Sequence, residues 1–255
     1  MITMVSFKIK HVKGAAEIIE AQGLGNLVRR GYRFFSSDPE LEIKNAINQH
    51  TKNYDTFIDI GAAVGSVTFS VATNFSKCFC FEPEKRNYKE LENKLKENGL
   101  KNVEIFNFAL GKEKDEKEFF VSPEGRLDNR FGIHPNENFN SYKVKINALD
   151  DILQSNNINE KCLIKIDVQG FEFEIMQGAK KILQKDCVII SEFWPWAMKL
   201  NGTDPLEYIE FMYSLGYSFF DIKNNFIEKQ ELKKLCSYTN KKFVHDDFII
   251  KKSKK

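Results

Sequence analysis

The 255-residue chain lacks a paired-cysteine pattern: Cys78, Cys80, Cys162, Cys187 and Cys236 form no C-x-x-C, and their odd number leaves one over. That argues against a disulfide framework and a structural zinc, and for a reducing compartment. Cys80, Cys162 and Cys187 instead fall in apolar runs, where a thiol acts as a small hydrophobe. A dominant charge is also missing. The 38 basic and 36 acidic residues are interspersed and leave a formal +2, which gives no electrostatic basis for a nucleic-acid partner. No apolar run suits a membrane, since the uncharged stretch 60–76 is rich in Gly, Ser, Thr and Asn. Lys8, Lys10, His11 and Lys13 interrupt any signal-peptide core. Internal repeats and long linkers are absent too. These absences predict a cytoplasmic protein without a transmembrane segment, and the basic end Lys251–Lys255 reads as a solvated tail.

What is present is a β/α rhythm. Residues 1–50 read as a helical leader, with Asp38-Pro39 as a helix start and Leu41, Ile43, Ala46 and Ile47 on one apolar side. Residues 51–255 read as one α/β domain: a mostly parallel central sheet, helices on both faces and an antiparallel edge. Strands are predicted at Thr56–Ile60, Cys78–Phe81, Val103–Phe106, Cys162–Ile166 and Cys187–Ile190, with Tyr217–Asp221 and Asp247–Ile250 as the edge pair. Helices are predicted from near Ser66, over Glu84–Asn98 with Gly99 as its stop, after Leu149-Asp150-Asp151, through Ile175, Ala179 and Ile182, and from Asp204-Pro205 to Gly216. Residues 117–146 look like an insertion in which Lys117–Val121 and Lys143–Ile146 alternate as paired strands. The polar stretch Ser122–Ser141 between them, with Arg126, Arg130, Phe131 and His134, is a candidate substrate lid.

The chemistry concentrates where strands end. Phe57-Ile58-Asp59-Ile60-Gly61-Ala62-Ala63-Val64-Gly65 reads as a buried strand, a glycine turn and a helix start, and Glu82 lies 23 residues beyond Asp59, at the tip of the next strand. In a βαβ unit an acid there can hold the two hydroxyls of a ribose. The dinucleotide fingerprint is excluded, because it requires glycine where the chain has Ala63. A second cluster, Lys165-Ile166-Asp167-Val168-Gln169-Gly170-Phe171-Glu172, places an acid at the carboxyl end of a central strand, facing the crevice where open α/β sheets bind ligands; Asp167 or Gln169 as a helix cap is an equal reading. The Asn/Asp-Pro-Pro-aromatic loop that grips an extruded base is not found.

The spacing of Asp59, Gly61, Gly65 and Glu82 resembles the S-adenosylmethionine site of Rossmann-like methyltransferases. Together with Asn107-Phe108-Ala109-Leu110-Gly111, Ala148-Leu149-Asp150-Asp151, Ile164–Glu172 and Ser191-Glu192, these segments resemble the FkbM family of methyltransferases over residues 54–193. The resemblance implies S-adenosyl-L-methionine as cofactor and a hydroxyl oxygen of a sugar, glycan or related natural product as methyl acceptor, as in polysaccharide biosynthesis. It implies that Asp59, Gly61 and Gly65 shape the methionine pocket, that Glu82 binds the ribose, that Asn107 and Ala109 sit beside the adenine, and that Asp167 stands between cofactor and acceptor. One departure is Ala63, where the family has Asn. A binding module without turnover and an enzyme for lipid or polyketide hydroxyls are the alternatives.

A sugar hydroxyl needs a group to take its proton. Asp167 leads and Glu192 follows; Glu172 reads as a helix-dipole carboxylate and His134 as a solvent-facing loop residue. No metal-ligand set is expected, although Asp167 and Glu192 together would suit Mg²⁺. Trp194 and Trp196 read equally as a sugar platform and as a core seal. Oligomeric state is not legible.

Overall fold

The computed structural model describes residues 39–123, 128–133, 135–156, 158, 160–240, 242 and 244–252. The leader before residue 39, Arg126, His134 and the last three residues lie outside the described residues.

In chain order the elements are α1 (Pro39–His50), β1 (Thr56–Ile60), α2 (Ser66–Val71), β2 (Lys77–Phe81), α3 (Lys85–Asn98), β3 (Val103–Phe106), β4 (Ala109–Gly111), β5 (Asp115–Val121) and β6 (Asn140–Ala148). There follow α4 (Leu149–Ser155), β7 (Cys162–Ile166), α5 (Glu172–Gln177), β8 (Val188–Phe193), α6 (Pro195–Leu200), α7 (Pro205–Ser214), β9 (Tyr217–Asp221), α8 (Lys229–Cys236) and β10 (Asp246–Lys252). A seven-stranded sheet runs β3-β2-β1-β7-β8-β10-β9, parallel except for β10, which is antiparallel to both its neighbours. The topology is Rossmann-like, and the strand order reverses between β1 and β7.

The strand period of two sorts the core onto the two faces. Ile58, Ile60, Phe79, Phe81, Ile164 and Phe248 point to one side, toward Ile175 of α5, Tyr208 and Met212 of α7 and Leu232 of α8. Phe57, Cys78, Leu163, Ile190 and Ile249 point to the other, toward Ile47 of α1, Val67 and Val71 of α2 and Leu91 of α3. Buried on both faces, these strands read as continuous apolar runs, which is the pattern of a covered parallel sheet. Into that second face project two charges, Asp59 and Lys165, at paired register positions of β1 and β7.

Several helix limits follow local chemistry. Glu84 caps α3 by accepting from the Asn87 amide at 2.7 Å, and Gly99 ends it in the left-handed conformation at φ 61°. Asp204 caps α7 by accepting from Leu206 N at 2.9 Å, with proline in the first turn. The helix expected through Ile182 is interrupted: α5 stops at Gln177 and a separate 3₁₀ turn takes Ile182–Gln184.

The stretch expected as an insertion contributes most of β5 and β6 to a small second sheet, ordered β4-β6-β5, whose strand β4 precedes it. β5 and β6 pair antiparallel, as the alternation predicts, and β4 adds parallel to β6 through Ala109↔Ile146 to Gly111↔Ala148. Arg130 ties down the segment between β5 and β6. Its backbone exchanges two hydrogen bonds with Phe120, and its fully buried guanidinium pairs with Asp128 and Glu137. The same guanidinium lies over the rings of Phe139 (4.8 Å) and Trp196 (5.4 Å).

Candidate active site

A cavity of about 410 Å³ opens at the carboxyl ends of β1, β2, β7 and β8, across the point where the strand order reverses. Its size falls in the range of about 300–1,000 Å³ that suits small ligands.

One wall is the turn after β1. The amides of Gly61 and Ala62 donate to Phe81 O at 3.0 and 3.1 Å, which holds the turn against β2. Gly61 has φ 76°, and a Cβ there would lie 2.0 Å from Asp167 O, so only glycine lets the tips of β1 and β7 meet so closely. Ala63 carries φ 48° without being glycine, and its amide donates to Glu82 Oε2 at 2.8 Å. Glu82 Oε1 accepts from Glu84 N at 2.8 Å. Burial raises the Glu82 carboxyl to about 7 against these two amides, which favour the charged form.

Beneath the turn, Lys165 Nζ donates to Gly61 O at 2.8 Å and pairs with Asp59 Oδ1 at 3.2 Å, while Asp59 Oδ2 accepts from Thr68 Oγ1 at 2.6 Å. Burial opposes the Lys165 charge, but Asp59 and Asp167 outweigh it and raise the ammonium above its usual range. This ammonium therefore stays charged and fixes the glycine turn from below.

The opposite wall is acidic. Gln169 Nε2 donates to Asp167 Oδ1 at 2.7 Å and to Glu192 Oε2 at 2.9 Å, bridging two carboxylates. Gln169 takes φ 57° to do so. Asp167 keeps an exposed edge; desolvation in the cavity wall first, and the nearby Glu192 charge second, raise its carboxyl above the usual carboxylate range. Asp247, paired in register with Glu192, also lines this end. Glu192 Oε1 lies 2.8 Å from Nδ1 of His245, whose ring packs on Trp194 at 5.4 Å. The far side is aromatic: Phe119, Phe131 and Phe171 pack on one another around the apolar part of the cavity, with the Phe119–Phe131 and Phe131–Phe171 ring centroids 5.1 and 4.4 Å apart.

Of the residues singled out in the sequence, Gly61, Glu82, Ala109, Asp167 and Glu192 line this cavity together. Asp59, Gly65 and Asn107 do not. Asp59 is fully buried below the turn, and Gly65 begins α2 at φ 81°. The Asn107 side chain donates to Glu82 O at 2.9 Å and Pro83 O at 3.3 Å, so it braces the loop that carries Glu82. Glu172 accepts from Gly170 N at 3.1 Å and faces the loop backbone rather than the cavity. Trp194 and Trp196 are buried against each other, and Trp194 Nε1 donates to Lys242 O at 2.8 Å. Among the described residues, no group of three or more His, Cys, Asp or Glu side chains is placed to hold a metal ion. No described helix is long and apolar enough to cross a membrane.

Sequence reasoning gave no site role to Lys165, Asp247 or His245 and read Gln169 only as a helix cap. For Lys165 a signal existed: it is a lone cation inside the apolar run Cys162–Ile166, one strand away from an equally lone Asp59. Gln169 and His245 carry no such mark.

Residues 59–219 match the family model described as the methyltransferase FkbM domain. None of the curated proteins matches the chain in sequence. Solved structures with a similar course include the methyltransferase FkbM from Methylobacillus flagellatus KT, at 16% identity and TM-score 0.44 over 65% of this chain. This chain spans 39% of that protein's length. The O-methyltransferase from Bacillus cereus in complex with SAH is 15% identical, with TM-score 0.44 over 93% of this chain and 89% of that one. The precorrin-6y C5,15-methyltransferase from Geobacter metallireducens GS-15 is 16% identical, with TM-score 0.40 over 73% and 78%.

Proposed function

The chain belongs to the FkbM methyltransferase family, and we propose that it carries the methyl group of S-adenosylmethionine to a hydroxyl oxygen of a sugar or glycan. It is an S-adenosylmethionine-dependent methyltransferase with a Rossmann-like fold. The acceptor is the proposal, and the observation that carries it is the pair of carboxylates, Asp167 and Glu192, joined by Gln169 on one wall of the cavity.

The residues present fit the cofactor. A backbone cradle that a Cβ at Gly61 would fill faces a buried carboxylate on Glu82, whose remaining lone pairs suit ribose hydroxyls. Ala109 would border the adenine, with Phe108 and Leu110 beside it. Asp59 and Gly65 would act on the methionine pocket from behind the turn, and Asn107 through the loop that carries Glu82. When bound, S-adenosylmethionine supplies a methyl carbon made electrophilic by a positive sulfur.

The chain's task is then alignment and proton acceptance. Because charge disperses as the methyl moves, fixing the attacking oxygen in line contributes most, worth about 7–11 kcal/mol in favourable cases. The two carboxylates accept hydrogen bonds from an acceptor's hydroxyls, which favours a polyol over an acceptor with a single oxygen. Asp167 and Glu192, joined by Gln169, together offer the acceptor's hydroxyl a carboxylate to take its proton. Phe119 and Phe131 exclude water and offer an apolar face to a sugar ring or the adenine. The segment that carries Phe131 is held by Arg130, as a lid over this end would need to be.

Deleting the gene and analysing hydrolysed cell polysaccharides and lipid-linked sugars by mass spectrometry tests the reading. It expects an O-methyl sugar to disappear. Unchanged sugar methylation, with a methyl missing from a lipid, polyketide or nitrogen instead, overturns it.

A further inference from the structure

His245 lies beyond the residues that match the family, yet it meets the acidic wall directly. Its Nδ1 is 2.8 Å from Glu192 Oε1. The other oxygen of the same carboxylate accepts from Gln169, which also holds Asp167. Glu192 faces the cavity and is 7% exposed, whereas the His245 side chain is 33% exposed. A chain of polar groups thus runs from the cavity wall to solvent. The imidazole is set in place by Trp194, and Trp194 is in turn fixed by its bond to Lys242 O. A carboxylate needed only as a hydrogen-bond acceptor gains nothing from such a connection. One that must take a proton at each turnover and lose it again does.

We infer that His245 and Glu192 form a proton-accepting dyad: Glu192 takes the hydroxyl proton of the acceptor and His245 passes it to solvent. This rests on the methyl-transfer reading of the cavity. As the acceptor oxygen forms its bond to the methyl carbon, the carbon–sulfur bond breaks and its electron pair stays on sulfur. The hydroxyl proton moves to Glu192, then to Nδ1 of His245 in the tautomer with hydrogen on Nε2, the Nε2 proton leaves to water, and proton exchange with water returns the ring to its starting tautomer before the next turnover. Charge balances, because the positive sulfonium becomes neutral and one proton is released. His245 acts through Glu192 and is a positioning residue. Glu192 meets the substrate.

The charged groups around the dyad set the background for its titration. Asp167 faces it from just beyond β7, with Lys165 behind Asp167, Glu172 from α5 and Asp247 from β10. Lys242, paired with Glu137, stands beyond the tryptophans.

The test needs no acceptor, because cofactor and product differ by one positive charge on sulfur. Isothermal titration of the whole chain with S-adenosylmethionine and with S-adenosylhomocysteine, in buffers of different ionisation enthalpy across pH 5–8, counts the protons released with each ligand. The sulfonium disfavours a proton on the dyad, so the wild type should release more protons with S-adenosylmethionine than with its demethylated product. In His245→Asn and His245→Gln both ligands should still bind, and that extra release should shrink. Asp167 supplies whatever excess is left, and Glu192→Gln should produce the same loss as the histidine variants. An unchanged excess in folded, ligand-binding histidine variants overturns the dyad while leaving the methyl-transfer reading intact. Failure of the wild type to bind either ligand overturns that reading instead. If both histidine variants unfold, proton NMR of the His245 ring in the wild type decides: a titration midpoint lower with S-adenosylmethionine than with S-adenosylhomocysteine supports the dyad, and equal midpoints overturn it.

Discussion

The Ala63 amide donates to Glu82 Oε2 at 2.8 Å, which fastens the turn after the first strand to the acid at the tip of the second. The contact is possible because Ala63 adopts φ 48°, a left-handed conformation that costs a residue with a Cβ about 1–2 kcal/mol. Ala63→Gly should remove most of that cost and stabilise the protein by roughly 1 kcal/mol. In a chain of this size that raises the melting temperature by about 2–4 °C. Asn, which tolerates the same conformation, should do likewise and should not weaken S-adenosylhomocysteine binding. A lower melting temperature for both variants would contradict the role given to this turn.

Glu82 is held by two amides on two different oxygens, so its isostere cannot replace it. In Glu82→Gln the amide nitrogen must face one of the two donors. The turn loses a charge-assisted hydrogen bond, and any ribose hydroxyl loses a carboxylate acceptor. Such bonds contribute about 1.5–3 kcal/mol, which corresponds to S-adenosylhomocysteine binding roughly tenfold or more weaker. Titration calorimetry reads this directly, and an affinity within twofold of wild type would exclude Glu82 from the site.

Glu172 should leave a mark on the pH dependence of stability. Burial raises its carboxyl to about 8 in the folded protein, against 4.5 ordinarily. The folded state therefore keeps a proton that the unfolded chain loses. Its stabilising contribution is complete below pH 4.5 and is lost as the pH rises through about 8. Glu172→Gln does not titrate, so it should gain on the wild type by up to a few kcal/mol between those limits. Urea midpoints of both proteins at several pH values measure the gain. A constant difference would show that Glu172 ionises normally.

Arg130 is the anchor of the segment that brings Phe131 to the cavity. Replacing it with Met leaves Asp128 without its guanidinium and Glu137 with Lys242 alone. Because Asp128 is partly exposed, the loss should fall below the 3–5 kcal/mol typical of a wholly buried pair, at about 2 kcal/mol. Arg130→Lys should recover only part of this, since an ammonium cannot reach both carboxylates and the Gly132 carbonyl, at 2.9 Å from Nε, in one plane. Thermal melts of the two variants test it, and equal stability of Met and wild type would refute the anchor.

How far such features could be read beforehand depended on whether they are local. β1 and β3 have the limits their apolar runs predict, and Gly99 ends α3 because a left-handed stop is a one-residue property. β4 was invisible: three residues are too few to show alternation, and only its pairing with β6 makes Ala109–Gly111 a strand. The tip acids Glu82, Asp167 and Glu192 were legible because strand ends in a parallel sheet converge on one crevice. The groups that join them were not. Gln169 reaches both carboxylates only through a positive φ, and His245 meets Glu192 only because β10 inserts antiparallel beside β8. Neither is a property of neighbouring residues.

The proposed site puts the methyl donor between Glu82 and the Asp167–Glu192 wall. A crystal structure with S-adenosylhomocysteine tests it most directly. The ribose hydroxyls should lie on Glu82, the amino-acid end against the Gly61–Val64 turn and the sulfur facing Asp167 and Glu192. Density for the ligand at any other place on the chain, or none at saturating concentration, would contradict it.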